Sequence, residues 1–574
     1  MGARLALLLA AVLLCGPVAA GTLRVAFPFA ETTFDPAQVT DLYSRTVIAG
    51  IFEAPLEYEY LARPLRLRPN TAAEMPEVSA DFRSFTFRMR PGIHFADHPA
   101  FGGRPRELVA ADYVYALKRH ADPRWKGGHF ELLADVEGLA ALRQRCLDTQ
   151  QPFDYEQPVA GLQVLDRYRF RIRLARPQPR FASLFADPSF AGAVAREVVE
   201  AHGDAVGEHP VGTGPFRLAA WQRSLRIVLE RNPGYREVRY DEQAPPGDIQ
   251  LLAAARRLKG RRLPLPERVQ IDIIEQPQPR WLSFLNAEHD LIENAPVDYI
   301  DAAPRHLQRW RYARPSIAFT YFAMGHPLVG GHAPAQVALR RAIALAVDVP
   351  REIRLVRRGQ AVAAQSAVAP GVYGHDATFR SEMGSYDLGR AKALLEVYGY
   401  VDRDGDGWRE QPDGRPLTLE MATQPDALSR QLAEQWQRNM KALGLRIQFN
   451  IASWPENAKR SRAGTLMMWS LGWLAGQPDA DAFLALGYGP QAGAGNPSRF
   501  ALPAFDALYE RQRSLPDGPE RLATIRAAQK LLVAYMPMKV HVHHVSSDMA
   551  QRWVEGYGPN VFVPAFWKYV AVER

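Results

Sequence analysis

Apolar and polar positions alternate with period two in several short stretches of the chain. In FRSFTFRMRPGIHF (residues 82–95), Phe85 and Phe87 interleave with Thr86 and Arg88, which predicts a strand ended by a Pro91-Gly92 turn. YRFRIRLARPQPRFASLF (168–185) predicts a second strand that runs into a Pro-rich exit. In SLRIVLERNPGY (224–235), Leu225, Ile227 and Leu229 alternate up to the Asn232-Pro233-Gly234 break, and the partner strand is Phe216-Arg217-Leu218, entered by a tight turn at Gly212-Thr213-Gly214. TLRVAFPF (22–29) reads as a strand, and IAFTYFAMGHP, opening near Ser316, as an aromatic one.

Other stretches carry the 3.6-residue period. A helix is expected to start at Asp35-Pro36 and to carry Val39, Leu42, Tyr43, Val47 and Ile51. VAADYVYALKRHADPRW predicts a helix opened near Asp112 and closed before Pro123. VALRRAIALAVDVPREIRLVRRG (337–359) predicts one amphipathic helix with Val337, Ile343, Leu345, Val347 and Ile353 on its apolar face. YDLGRAKALLEVYGY is a further helix, and SRQLAEQWQRNMKALGLRIQFNIAS a helix leading through Gly444 into a strand. The chain is therefore α/β without a regular repeat.

Length changes the picture first. With 574 residues the chain exceeds the ~250–300 at which a single core stops growing, so two or more domains are expected. At the N-terminus a lone Arg, an apolar run from Leu5 to Cys15 and the small residues Val18-Ala19-Ala20 make a signal peptide over residues 1–20, cleaved after Ala20. Leu14 is too bulky for the usual residue before a lipidated cysteine, so Cys15 is not read as an anchor. Cys146 is the cysteine left after cleavage; it can form no intrachain disulfide and is assigned no chemistry. The formal charge of +8 is spread among Asp and Glu, and the densest basic piece, ARRLKGRRLPLPER (255–268), reads as a solvated connection rather than a nucleic-acid patch.

Read in order, FTFRMRPGIHF, AADYVYALKR, PVGTGPFRL with ERNPGY, ALRRAIALAVDVPREI and DLGRAKALL resemble the dipeptide-, oligopeptide- and nickel-binding proteins of bacterial ABC importers, extracellular solute-binding protein family 5. The resemblance implies a type II periplasmic binding protein: two α/β lobes joined by a hinge, with an extra subdomain in the first lobe. The expected division is 21–58 first lobe, 59–185 extra subdomain, 186–312 first lobe, 313–515 second lobe and 516–574 return to the first lobe. It also implies a periplasmic monomer without enzymatic activity or cofactor, which closes on a peptide or peptide-like solute and hands it to an inner-membrane permease.

The resemblance also supplies the candidate contacts. GWLAGQPDADAF (472–483) matches the stretch in which peptide binders place an Asp three residues after the Trp to pair with the ligand's α-ammonium; here that position is Gly476. Asp479 and Asp481 match acidic positions downstream, and both also suit the start of the following helix. Cleft contacts are expected from Thr32, Thr33, Phe34, Tyr321, Phe322, Met324, Trp473, Gly476 and Asp479. DRDGDGWREQPD places Asp402, Asp404 and Asp406 at positions 1, 3 and 5 of a calcium-type loop, with Asp413 where Glu is usual. In KVHVHH, His541 and His543 would share one strand face and are candidate transition-metal ligands. Two other readings stay open: a metal or haem carrier, and an exported hydrolase on the same scaffold, although no HExxH or GxSxG motif is present.

Overall fold

The computed structural model describes residues 21–574 apart from residue 565. The signal peptide expected over 1–20 lies outside the described residues. One mixed sheet runs through both lobes in the order Arg446–Ile451, Thr418–Thr423, Met468–Leu474, Gln308–Phe322, Met538–Ala550, Leu291–Ile292, Thr22–Phe27, Arg268–Ile273, Arg226–Arg231, Phe216–Gln222. Thr22–Phe27 pairs parallel to Arg268–Ile273, and Thr418–Thr423 parallel to Arg446–Ile451, so chain must cross over on both sides. In the second lobe the crossover is the helix Ala427–Leu443, capped by Asp426 and ended by Gly444 at φ 78°, a left-handed turn that glycine takes without strain.

Among the described residues four apolar cores form, the smallest around Trp281, Phe284 and Leu307, and the other three close the lobes and a subdomain. Leu23, Val25, Val47, Ile51, Ile227 and Ile271 close the first lobe. Phe85, Phe87, Tyr113, Leu117, Phe170 and Ile172 close a subdomain around a separate four-stranded sheet. Leu339, Ile343, Leu419, Trp436, Phe483 and Ile525 belong to the core of the second lobe.

Two strands bind the lobes together. Gln308–Phe322 has 15 residues and Met538–Ala550 has 13; they run antiparallel, Gln308 opposite Ala550 at the first lobe and Tyr321 opposite Met538 at the second. At about 3.4 Å per residue the longer spans roughly 50 Å, more than one lobe's sheet needs. Their register shifts between Ala313 and Ile317, where Pro315 has no N–H to give the ladder. This break lies between the lobes, where the expected hinge falls.

Several expected boundaries move. The first helix is Leu42–Ile51, not one from Asp35: the Asp41 carboxylate caps the Ser44 N–H at 2.8 Å, while Asp35 is buried in an ion pair with Arg119 at 2.7 Å. The long helix from Val337 stops at Ala346, because Asp348 caps a new start with Pro350 in its first turn. The aromatic strand begins at Gln308 rather than near Ser316. The basic run is not all loop: its first four residues finish the helix Ile249–Leu258, and Arg257, Arg261 and Arg268 are paired with Glu555, Glu573 and Glu230. The chain returns to the first lobe along Met538–Ala550 and not at 516, since helix Pro519–Tyr535 buries Ile525, Ala528 and Leu532 in the second-lobe core.

Candidate functional site

A cleft of about 1260 Å³ opens between the lobes, with Tyr312, Ala313 and Pro315 of the hinge strand among its lining residues. The first lobe contributes Tyr58 and the segment 176–184; the second contributes Gly371-Val372-Tyr373, Gln477-Pro478-Asp479 and Arg513. The volume exceeds the ~300–1,000 Å³ usual for small-ligand pockets, which suits a chain-like solute more than a single amino acid.

The stretch GWLAGQPDADAF forms the end of strand Met468–Leu474 and the loop beyond it. Gly476 is exposed, and a Cβ built there meets nothing within 4 Å. The carboxylate that the resemblance asks for is missing, but the space for it is present. Asp479 lines the cleft, yet its charge is already compensated: its two oxygens accept from the Arg521 guanidinium at 2.6 and 2.7 Å. Arg521 is completely buried and is held further by Asp517 at 2.8 Å and the Gln512 side chain at 2.8 Å. Asp479 Oδ1 also accepts the Asp481 N–H at 2.8 Å, so the capping role and the ion pair coincide. Asp481 opens the short helix Asp481–Leu484 and accepts from Gln512 at 2.7 Å.

Among the described residues, Asp479 is the one expected contact that lines this cleft. Phe322 is fully buried, Tyr321 and Met324 nearly so, and the Tyr321 hydroxyl donates to Ser461 at 2.8 Å. Their strand has neighbours on both edges and helices over it, which puts this apolar run inside the second-lobe core. Phe34 is buried against Trp221, 4.4 Å between ring centroids. Thr32 donates to Asp41 at 2.6 Å and Thr33 accepts the Asp35 N–H at 3.3 Å, so both organise the entry to the first helix. Trp473 stays 38% exposed opposite Ile317.

The histidines do not converge. The register shift beside His541 breaks the two-residue alternation, and each imidazole finds its own partners: His541 Nε2 meets Thr320 at 2.9 Å and Nδ1 meets Glu352 at 3.1 Å, while His543 Nδ1 lies 3.4 Å from the Ser316 carbonyl. Burial holds the His543 imidazole down at about 4, so it is neutral at pH 7. In the acidic loop, Asp402, Asp404, Asp406 and Glu410 bring oxygens within 4.8 Å of one another. Asp413 points instead to Arg415 at 2.7 Å, and Arg446 pairs with Asp406.

Sequence reasoning missed Arg180. From the first-lobe side it donates to the Leu515 and Arg513 carbonyls, both at 2.9 Å, and lies 3.6 Å from Asp479. It therefore ties the end of helix Pro503–Ser514 across the cleft, and the favourable setting of a cation at a helix C-terminus adds to the contact. Its flanking prolines signalled a loop, but nothing local named the partner.

The model for the bacterial extracellular solute-binding proteins, family 5, matches residues 66–495. The chain belongs to that family. Among curated relatives of this family 5 chain, the di/tripeptide-binding protein 2 of Pseudomonas aeruginosa is 26% identical, covering 93% of this chain and 92% of that one. The dipeptide-binding protein of Escherichia coli is 24% identical over 92% of this chain and 88% of its own. Among solved structures, the periplasmic binding protein DppA of Helicobacter pylori in complex with the peptide STSA superposes with a TM-score of 0.72 at 20% identity, covering 96% of this chain and 98% of that chain. The type II fold of two lobes follows from this likeness and from the sheet itself.

Proposed function

We propose that this family 5 chain is the periplasmic receptor of an ABC importer, taking a peptide or peptide-like solute between its lobes and presenting the closed form to an inner-membrane permease. The observation that carries the reading is the cleft itself: it is large, lies at the junction of two lobes, and has the register-shifted hinge strand in its wall. The full-length similarity to di- and tripeptide-binding proteins supplies the solute class. No helix among the described residues is long and apolar enough to cross a membrane, which suits a receptor that leaves membrane passage to its partner. Catalysis forms no part of the proposal, and the separation of His541 from His543 gives a metal or haem carrier no support.

Hinge closure is a population shift driven by contacts that only the closed state makes with the solute. Native mass spectrometry of the purified mature protein, followed by denaturation and identification of what is released, tests the reading. A bound peptide, with compaction in X-ray scattering on rebinding, is the expected outcome. Release of a metal, a haem or no organic solute after exposure to peptides would sink it.

A further inference from the structure

The missing acid at Gly476 leaves a peptide's α-ammonium without its expected partner, and Asp479 is committed to Arg521. A different carboxylate stands at the hinge. Glu293 follows directly on the strand Leu291–Ile292, whose pairing with Ala550 and Met549 brings it level with Asp548. The two-residue alternation places Asp548 and Ser546 on one face of the crossing strand, and Ser546 stands opposite Tyr312, which lines the cleft. Glu293 continues that face.

The two neighbouring acids differ in what they already hold. Asp548 is fully buried, and its oxygens accept from the Asn294 N–H at 2.7 Å, the Tyr557 hydroxyl at 2.6 Å and Ser546 at 3.3 Å. Asn294 takes a left-handed φ of 50° to make that contact, so the chain turns away immediately after Glu293. Glu293 is exposed and has neither hydrogen bond nor ion pair among the described residues. Surrounding protein, and then the Asp548 charge, push its carboxyl well above the usual range. Arg314 sits in the register break between Ala313 and Ile317; its charge bears on Glu293 without an ion pair forming, and its Nε is buried without a partner.

An acid and a guanidinium placed on the crossing hinge strands, with no ion pair between them among the described residues, are the two halves of a site for a zwitterionic head group. We propose that Glu293 receives the α-ammonium of the peptide, replacing the carboxylate absent at Gly476, and that Arg314 receives the neighbouring carbonyl or carboxylate oxygen. This rests on the peptide-receptor reading above, and deepens it by naming the residue that selects a free N-terminus.

The test starts from the mature protein stripped of solute and exposed to a pancreatic digest of casein, with retained peptides identified by mass spectrometry. The best-retained peptide is then made with a free and with an N-acetylated terminus and titrated by calorimetry. Wild type should prefer the free amine by about ten- to hundredfold, the range for a hydrogen-bonded charge contact. Glu293→Gln should abolish that preference. Adding Gly476→Asp to Glu293→Gln, into the open space at 476, should restore it. Wild type binding both forms equally, or Glu293→Gln keeping the wild-type preference, overturns the role of Glu293 and leaves the peptide receptor standing. Wild type that retains no peptide at all overturns the receptor reading and this proposal with it.

Discussion

Asp479 and Glu293 are both acids at the interlobe region, one in the loop that the family resemblance singles out and one at the hinge. Asp479 is locked by a buried Arg521, itself tied to Asp517 and Gln512, and is joined from across the cleft by Arg180 at 3.6 Å. Glu293 has no hydrogen bond or ion pair among the described residues. The difference teaches that an acid's availability to a ligand depends on whether the fold has already neutralised it, and that a motif's count of carboxylates does not reveal this. An acid spent on a buried guanidinium holds a lobe together; an acid left open, beside a charge of its own sign, gains most when a cation arrives.

The largest effect expected from breaking this contrast is at Arg521. Arg521→Ala would leave Asp479 with Arg180 as its nearest cation and remove the tie to helix Pro503–Ser514. Breaking one side of a buried pair costs about 3–5 kcal/mol, so urea unfolding should show a loss of that order. A loss under about 1 kcal/mol, the value of an exposed pair, would mean that Asp479 is as open to solvent as Glu293 and would erase the distinction.

Next in size is Arg180→Ala. Two carbonyl contacts across the cleft are worth about 1–2 kcal/mol together, enough to shift an open–closed balance about tenfold. Solute-free protein should then show a larger radius of gyration in X-ray scattering, with the wild-type melting temperature retained because neither lobe's core is touched. An unchanged radius would mean that Arg180 does not hold the lobes.

How far the sequence reached follows the range of the forces involved. Ser84–Arg88, Arg226–Arg231 and Ala427–Leu443 were legible because alternation, helical spacing and a glycine stop are local signals. The start at Asp35 was misread because its true partner, Arg119, is 84 residues away. Tyr321 and Phe322 were expected in the cleft for their aromatic faces, and Met324 with the same TYFAM stretch, although IAFTYFAM has few polar alternations and describes a strand covered on both faces. Glu293 left no local trace at all. Its surroundings come from Asp548 and Arg314, brought together only where the two long strands cross.

A smaller effect separates the acids by pH. A carboxyl raised in the folded state keeps its proton longer than in the unfolded chain, so the stability it contributes is complete below the ordinary value of 4.5 and is lost as pH rises through the folded value. The titratable and charged groups that bear on Glu293 are Asp548, Arg314, Tyr43, Tyr60, Tyr312 and Tyr557. Wild type minus Glu293→Gln should therefore show stability falling from pH 4.5 towards neutrality, by an amount trimmed by solvent screening. A difference that stays flat, or rises, would mean that the Glu293 carboxyl is ionised in the solute-free protein and already compensated.

The smallest effect sharpens the comparison on the surface of the second lobe. Asp402, Asp404, Asp406 and Glu410 converge as if to hold calcium, but the loop resembles Asp479 more than Glu293 in being satisfied from within. Asp402 accepts the Gly405 and Gly407 N–H groups at 2.7 and 2.9 Å, Glu410 accepts the Arg403 N–H at 2.8 Å, and Arg446 stands where a cation's charge would be needed. Displacing that guanidinium costs an ion about what it gains from one carboxylate, so a chelator followed by calcium should leave the melting temperature of wild type unmoved. In Arg446→Ala the acids lose their internal cation, and calcium should then raise the melting temperature of the variant. Calcium raising the melting temperature of wild type would show that an acid cluster supplied with its own guanidinium still recruits an outside cation, and would remove the ground on which Asp479 is set apart from Glu293.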